Sequence, residues 1–506
     1  MKMPRIAIYR IPTDSSGATR RDFVKTASAA TVAALGATVL PLGLRAASAS
    51  AKMIGIQAGA VSFRDEGTER VLDTLQERGA VNTIFAAAFT YGRGIAGRQV
   101  PGAAFPDHGR QESDEKTFHG GNYATPHAEF YRYTSLKQTK APDFGDYDVL
   151  ADVLPKAHSR GMNVFAWYED VFRPDLPGVE KLHETDLQGR PANSLCHLHP
   201  DYRQFLIGLT EDYCQSYPVD GVMWGSERQG PLLNAIGGGD PTRVTCFCEL
   251  HQQAARARGI DVARARAGFE KLGQFVRAAR IGSRPADGYF VSFWRLLLEY
   301  PEILAWEKLW TDSKQGIYAD VRQAAKKSRP EVQVGFHIWH QASFSPIFRA
   351  EQDFAELAEV ADFLKIVVYN NCGGPRYAAF INNMASGIMR DVPKDEVLRL
   401  HNEWLNYGNE APLDQLPTAG LSSDYVFRET KRTLATVQGK CRVYPGLDID
   451  VPTGSGQKKT QPGDVHAATT AALGAGADGV LFSRKYSEMK LANLTAGGQA
   501  VRDFKA

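Results

Sequence analysis

Apolar runs rich in β-branched and aromatic residues recur along this chain, each followed by a segment whose apolar positions fall at helical spacing. Eight runs read as buried strands: Ile54 to Phe63, Val81 to Thr90, Met162 to Asp170, Val219 to Glu227, Val332 to Trp339, Phe363 to Asn371, Cys441 to Asp450 and Asp478 to Tyr486. They are nearly continuous in hydrophobicity rather than alternating, as expected of parallel strands covered on both faces. Helices are expected over Thr68 to Arg78, Asp146 to Arg160 and Pro200 to Ser216, each stopped near a Gly or Pro. Eight βα units predict an α/β fold, a (β/α)8 TIM barrel.

Three connections exceed what such a barrel needs. Tyr91 to Gly145 follows the second strand and is rich in Gly, Pro, His and aromatic residues, and Gly373 to Lys440 follows the sixth. A helical insertion at about 240–330 follows the fourth, with helices expected over Arg243 to Arg258, Val262 to Arg280 and Phe290 to Lys308. Long connections of this kind are where barrels carry function. The string Gly474-x-Gly476-x-x-Gly479 matches a dinucleotide fingerprint, but here the glycines lie between a helix and the following strand, the reverse of what pyrophosphate binding requires, so they read as a turn.

The first fifty residues stand apart from this pattern. Thr19-Arg20-Arg21-Asp22-Phe23-Val24-Lys25 precedes a weakly apolar Ala/Thr/Gly/Leu stretch, and Ala47-Ser48-Ala49 resembles a signal-peptidase site. This is the pattern of a twin-arginine signal peptide over residues 1–50, against the alternative of an N-terminal anchoring helix. The catalytic barrel then occupies residues 51–506, exported to the periplasm or secreted, with no membrane contact after the signal is removed.

Composition narrows the partners. Across 506 residues, 59 lysines and arginines nearly balance 57 acidic residues, so no electrostatic footprint for nucleic acid is present. The six cysteines have no scaffold-like spacing. Cys246-Phe247-Cys248-Glu249-Leu250-His251 resembles half of a metal site, but the sequence shows no second half, so a disulfide or buried thiols is the expectation, with no cofactor and no metal.

In a parallel barrel the strand C-termini share one face, so residues at the ends of these runs are the candidates for chemistry. Glu227 ends the fourth run, and Asp448 and Asp450 end the seventh, which lies across the barrel. Two opposed carboxylates are the minimum set for hydrolysing a glycosidic bond, Glu227 as general acid/base and one aspartate opposite it. The other ends form a polar and aromatic rim suited to a sugar: Trp167 and Glu169, Trp224 and Arg228, His337, Trp339 and His340, Tyr369 and Asn370, and Arg484. Glu169 stands in reserve for either carboxylate role. His119, Asn122 and His127 in the second long loop are further candidates to hydrogen-bond substrate. Trp294, Trp306 and Trp310 have helical spacing and read as core.

The stretches Asp220 to Pro231, Cys246 to His251 and Ala475 to Ser483 resemble the glycoside-hydrolase-like barrel proteins that bacteria export. The resemblance implies a glycosidase acting on a carbohydrate with water as co-substrate. Those proteins are similar in barrel grammar to the retaining glycosidases, in whose large clan an Asn-Glu pair ends the fourth strand and a glutamate the seventh. This chain departs from both, with Ser226 before Glu227 and aspartates on the seventh strand. Two rival readings remain: a metal-dependent sugar isomerase, epimerase or lyase using His337, His340, Glu227 and an aspartate, and a non-catalytic carbohydrate-binding barrel.

Overall fold

The computed structural model describes residues 52–90, 105–111, 118–170, 173–237 and 240–505; the expected signal peptide and parts of the long second loop lie outside the described residues. The barrel strands are β1 (Met53–Gly59), β2 (Thr83–Thr90), β3 (Asn163–Glu169), β4 (Gly221–Gly225), β5 (Gln333–Ile338), β6 (Phe363–Ile366), β7 (Arg442–Val443 and Gly446–Asp448) and β8 (Gly479–Ser483). Each pairs in parallel with its neighbour in chain order from β1 to β6, and β8 returns to pair with β1.

β7 closes the ring by dividing itself between its neighbours. Pro445 has no N–H to give to a ladder, and the strand breaks there. Its first half pairs with β6 and its second half with β8, while Tyr444 N–H donates to Leu364 O and Leu481 N–H to Pro445 O, both at 2.9 Å.

Alternate residues of each strand point to opposite faces, and both faces are buried. Inside the barrel, Phe85, Phe165, Phe363 and Tyr444 pack ring on ring, with centroids 5.0 Å apart for Phe85 and Phe165, 5.6 Å for Phe165 and Phe363 and 5.2 Å for Phe363 and Tyr444. Outside, Ile56, Ile84, Val164, Trp224 and Phe336 meet the surrounding helices. The aromatic plug fills the interior below the C-terminal face, leaving that face for polar residues.

Several expected boundaries move. Ala60–Glu66 is a helix, although its first residues read as the end of the first strand. A short apolar run buries equally well as strand or helix, and the periodicity does not separate them. β6 stops at Ile366, and Asn370 and Asn371 open the helix Asn370–Ser386. The expected helix Phe290 to Lys308 is two, Tyr289–Glu299 and Glu302–Ser328, divided at Pro301. Trp306 and Trp310 on the second are buried, but Trp294 on the first is 53% exposed and is not core. The hairpin His183–Thr185 with Pro191–Leu195, after β3, has no counterpart in the sequence reading. The glycines before β8 form a turn after the helix Pro462–Gly474, with Gly476 at φ 95°. No helix among the described residues is long and apolar enough to cross a membrane.

Candidate active site

Glu227 lies just beyond the end of β4, on the face where all the strand C-termini open. The residues on either side hold it there. Ser226 and Arg228 both donate to Asp170 beyond β3, with Arg228 Nε 2.9 Å from Asp170 Oδ2. The Arg228 guanidinium also donates to Leu195 O at 2.7 Å and to His197, while Lys314 Nζ donates to Arg228 O at 3.0 Å. Burial opposes the ionised form of Asp170, but Arg228, His197 and Ser226 outweigh it and hold its carboxyl well below the usual range. Arg228, expected to contact substrate, is a half-buried clamp on the loop that carries Glu227, and it also lines a cavity beside that residue.

The Glu227 carboxylate faces His337, at the end of β5, with Nε2 and Oε1 2.9 Å apart. On the far side of the ring, Lys365 Nζ lies 3.0 Å from His337 Nδ1 and donates to the Tyr369 hydroxyl at 2.9 Å. While Lys365 is protonated it can only donate, so in that state Nδ1 accepts and Nε2 carries the proton that goes to Glu227. Two glycines make the close packing possible: a Cβ on Gly225 would stand 2.6 Å from His337 Cβ, and one on Gly446 2.4 Å from Lys365 Cε.

The electrostatics of this row follow from burial and mutual charge. Burial and the neighbouring Lys365 hold His337 down to about 4, and burial brings Lys365 down to about 7. For Glu227, burial favours the neutral form, but the His337 hydrogen bond and the positive charge of His337, Arg376 and Lys365 prevail and hold it down to about 2. The side chain is 41% exposed, so solvent in the cavity screens those charges; the direction still leaves an ionised carboxylate at neutral pH. Glu169, at the end of β3, goes the other way. It is buried, and its carboxyl is pushed well above the usual range by desolvation and by the Glu227 charge. Its Oε2 has no hydrogen-bond partner among the described residues.

A cavity of about 390 Å³ opens over Glu227, lined also by Gln229, Trp339, His340, Arg376 and Asn383. A second of similar size shares Glu227, Gln229 and Trp339 with the first and runs toward Glu184 and Asn193. Both fall in the size range of small-molecule sites, and Glu227 is common to their walls.

The structure treats the seventh-strand aspartates differently from the expectation. Asp448 is fully buried. Its Oδ2 accepts from Cys372 N–H at 2.9 Å, and its Oδ1 accepts from Val451 N–H at 2.8 Å and the Thr460 hydroxyl at 3.2 Å. Asp450 sits at φ 80° with Oδ2 accepting from Lys490 N–H at 2.7 Å and Asn493 Nδ2 at 2.8 Å. Both carboxylates fasten backbone rather than face the cavity.

Of the remaining rim residues, Trp339 and His340 reach the cavity, and Tyr369 joins through Lys365. Trp167 belongs to the barrel interior, and Trp224 packs outward on Tyr318. Asn370 is buried at the start of its helix, and Arg484 pairs with Glu488 at 2.5 Å. The second-loop residues are absent from both cavity walls: His119 pairs with Asp143 at 3.0 Å, His127 with Asp212 at 2.7 Å, and Asn122 Oδ1 accepts from Ala124 N–H and the Tyr213 hydroxyl at 3.0 Å each. Lys365, Arg376 and Gln229 were not foreseen. For Lys365 a signal existed, a cation inside the buried-strand run Phe363-Leu364-Lys365-Ile366.

The imidazoles are poorly placed to hold a cation. His337 has both nitrogens engaged, one of them by Lys365. His340 lies between Arg376, 3.2 Å from Nδ1, and the Tyr425 hydroxyl, 3.0 Å from Nε2. A divalent ion here would displace hydrogen bonds and sit beside two cationic side chains.

No family model matches the sequence, and no characterised protein matches it at the level of sequence. Solved structures do match the fold. A β-galactosidase from the Antarctic haloarchaeon Halorubrum lacusprofundi aligns over 90% of this chain and 58% of its own, at 14% identity and a TM-score of 0.51. An α-L-fucosidase from Paenibacillus thiaminolyticus aligns over 90% and 49%, at 13% identity and 0.47, and the PgaB glycoside hydrolase domain from Bordetella bronchiseptica over 90% and 98%, at 14% and 0.44. The chain thus spans about half the length of the fucosidase and 58% of that of the β-galactosidase. The likeness to the β-galactosidase shows a shared α/β barrel fold.

Proposed function

We propose that this protein is an exported glycoside hydrolase with Glu227 at the reaction centre. The observation that carries the reading is Glu227 itself: a carboxyl exposed into a cavity at the strand C-termini and oriented by the His337–Lys365 row, whose positive charge favours its ionised form. An ionised carboxylate suits the part of nucleophile or base rather than that of resting acid. In this reading the second carboxyl is Glu169, buried beside Glu227 and outside both cavity walls, in place of Asp448 or Asp450, so substrate binding must uncover it. Neighbouring carboxyls whose environments drive their protonation apart form an acid and base pair. Glu169 holds the proton that the departing sugar oxygen needs; water supplies the hydroxyl that ends on the anomeric carbon and the proton that restores Glu169. Trp339 gives a sugar face a ring to lie on, while Gln229, Asn383 and Arg376 meet hydroxyls.

The test is turnover of purified mature protein on a panel of oligosaccharides and aryl glycosides, with Glu227→Gln beside it. Hydrolysis by the wild type that the variant loses supports the reading. Binding of sugars without turnover in either protein replaces it with a carbohydrate-binding barrel. Export by the twin-arginine route is part of the same proposal, resting on Arg20 and Arg21. Fractionation of cells expressing the double Arg20→Lys, Arg21→Lys change should find the protein retained in the cytoplasm, and continued export would rule the route out.

A further inference from the structure

Away from the Glu227 cavity, three cysteines and a histidine from distant parts of the chain meet at one point. Cys196 follows the hairpin strand Pro191–Leu195. Cys246 and Cys248 lie on a segment held against the other hairpin strand, where Phe247 N–H donates to Thr185 O at 2.6 Å. Cys248 is the N-cap of the helix Glu249–Ala257, and His251 lies in its first turn. The ligand atoms of all four fall within 4.8 Å of one another. Cys196 Sγ is 3.5 Å from Cys248 Sγ and 3.4 Å from His251 Nδ1, and Cys248 Sγ is 3.5 Å from the same nitrogen.

We propose that Cys196, Cys246, Cys248 and His251 form a structural zinc site. Tetrahedral zinc bound to sulfur at about 2.3 Å and nitrogen at about 2.0 Å places its ligand atoms roughly 3.5 to 3.8 Å apart. The three separations among Cys196, Cys248 and His251 lie within about 0.3 Å of that tetrahedron, and Cys246 Sγ stands within 4.8 Å of each. They do not match a disulfide, whose sulfurs stand about 2.05 Å apart. Three sulfurs and an imidazole are a borderline-soft donor set that selects zinc over calcium or magnesium. Four protein ligands leave no open position, so the metal is structural. Cys196, Cys246 and His251 are buried, with Trp310 and Leu198 packed against the sulfurs. Among the described residues His251 Nε2 has no hydrogen-bond partner, and Nδ1 faces the sulfurs of Cys196 and Cys248.

The ion would also serve the neighbouring loop. His197, next to Cys196, accepts from Arg228, which flanks Glu227. Zinc therefore ties the hairpin and the helix Glu249–Ala257 to the segment against which the Arg228 clamp rests.

The test is zinc content and X-ray absorption of full-length mature protein purified without a histidine tag. One zinc per chain with three sulfurs and one nitrogen supports the site. Metal-free protein whose six thiols are all titratable on unfolding overturns it. Cys248→Ser should lose the zinc, and if that variant fails to fold, His251→Cys replaces it as the informative one: it should keep one zinc while the sulfur count rises from three to four. An unchanged sulfur count would overturn the assignment. Stripping zinc from the wild type with a chelator should lower the Tm and re-addition restore it; an unchanged Tm would overturn the structural role. Glu227→Gln should retain the full zinc content, so failure of the glycosidase reading and failure of this one are distinguishable.

Discussion

At the end of β4, Glu227 points into a cavity and meets one side-chain donor, His337. Across the barrel, at the end of β7, Asp448 is enclosed and meets two backbone N–H groups and a hydroxyl. The two residue types are alike and their strand positions nearly equivalent, yet their environments make one available for chemistry and the other a fastening for the turns around it. A carboxylate satisfied by backbone donors cannot leave them without unmaking the fold. One held by an imidazole at a cavity wall has lone pairs free for a ligand.

The sharpest way to break this comparison is to neutralise each carboxylate. Glu227→Gln should lower kcat by roughly 10³-fold with little change in Tm. An active variant would remove Glu227 from the reaction. Asp448→Ala should instead destabilise by about 3 kcal/mol, because it strands buried N–H groups, while the folded fraction keeps its turnover. Equilibrium urea unfolding with activity normalised to folded protein measures both, and full stability with lost turnover would return Asp448 to the catalytic role.

The pairing of Glu227 with Glu169 is sharpened by pH. Glu227 must be ionised, and is so above about 2, while Glu169 must stay protonated with its raised carboxyl. The rate should therefore be level through mildly acidic pH and fall on the alkaline side as Glu169 loses its proton. Glu169→Gln, which mimics the protonated shape, should cost roughly 10²-fold in kcat and abolish that alkaline fall. A profile that keeps the fall places the titrating group elsewhere.

The smallest effect concerns Lys365. Its folded value, about 7, lies below the unfolded one, so the unfolded chain binds more protons between about 7 and 10.4 and this residue's contribution to stability grows as pH rises through that window. Lys365→Met should flatten the rise in Tm and move the acid limb of activity upward, since Glu227 loses a cation. An unchanged acid limb would separate Lys365 from Glu227.

Much of this was legible because strands and helices announce themselves locally. The helix Pro200–Ser216 has its expected bounds, and Glu227 marks a strand end in any register of the barrel. Lys365 escaped because a lysine in an apolar run has no meaning until its neighbours are known. The Cys246 to His251 cluster lacked its fourth ligand for the same reason, since Cys196 lies fifty positions upstream on a hairpin that the sequence did not reveal.

By itself the sequence determined the barrel, since eight buried runs alternating with helices leave few ways to cover every apolar face, and it placed Glu227 beside a strand end, although the first and sixth strands stop earlier than their apolar runs. Only the tertiary structure decided what each end does. Hydrogen bonding and burial depend on what other strands bring alongside: backbone donors enclosed Asp448, an imidazole and a cavity met Glu227, and desolvation beside the Glu227 charge pushed the Glu169 carboxyl up.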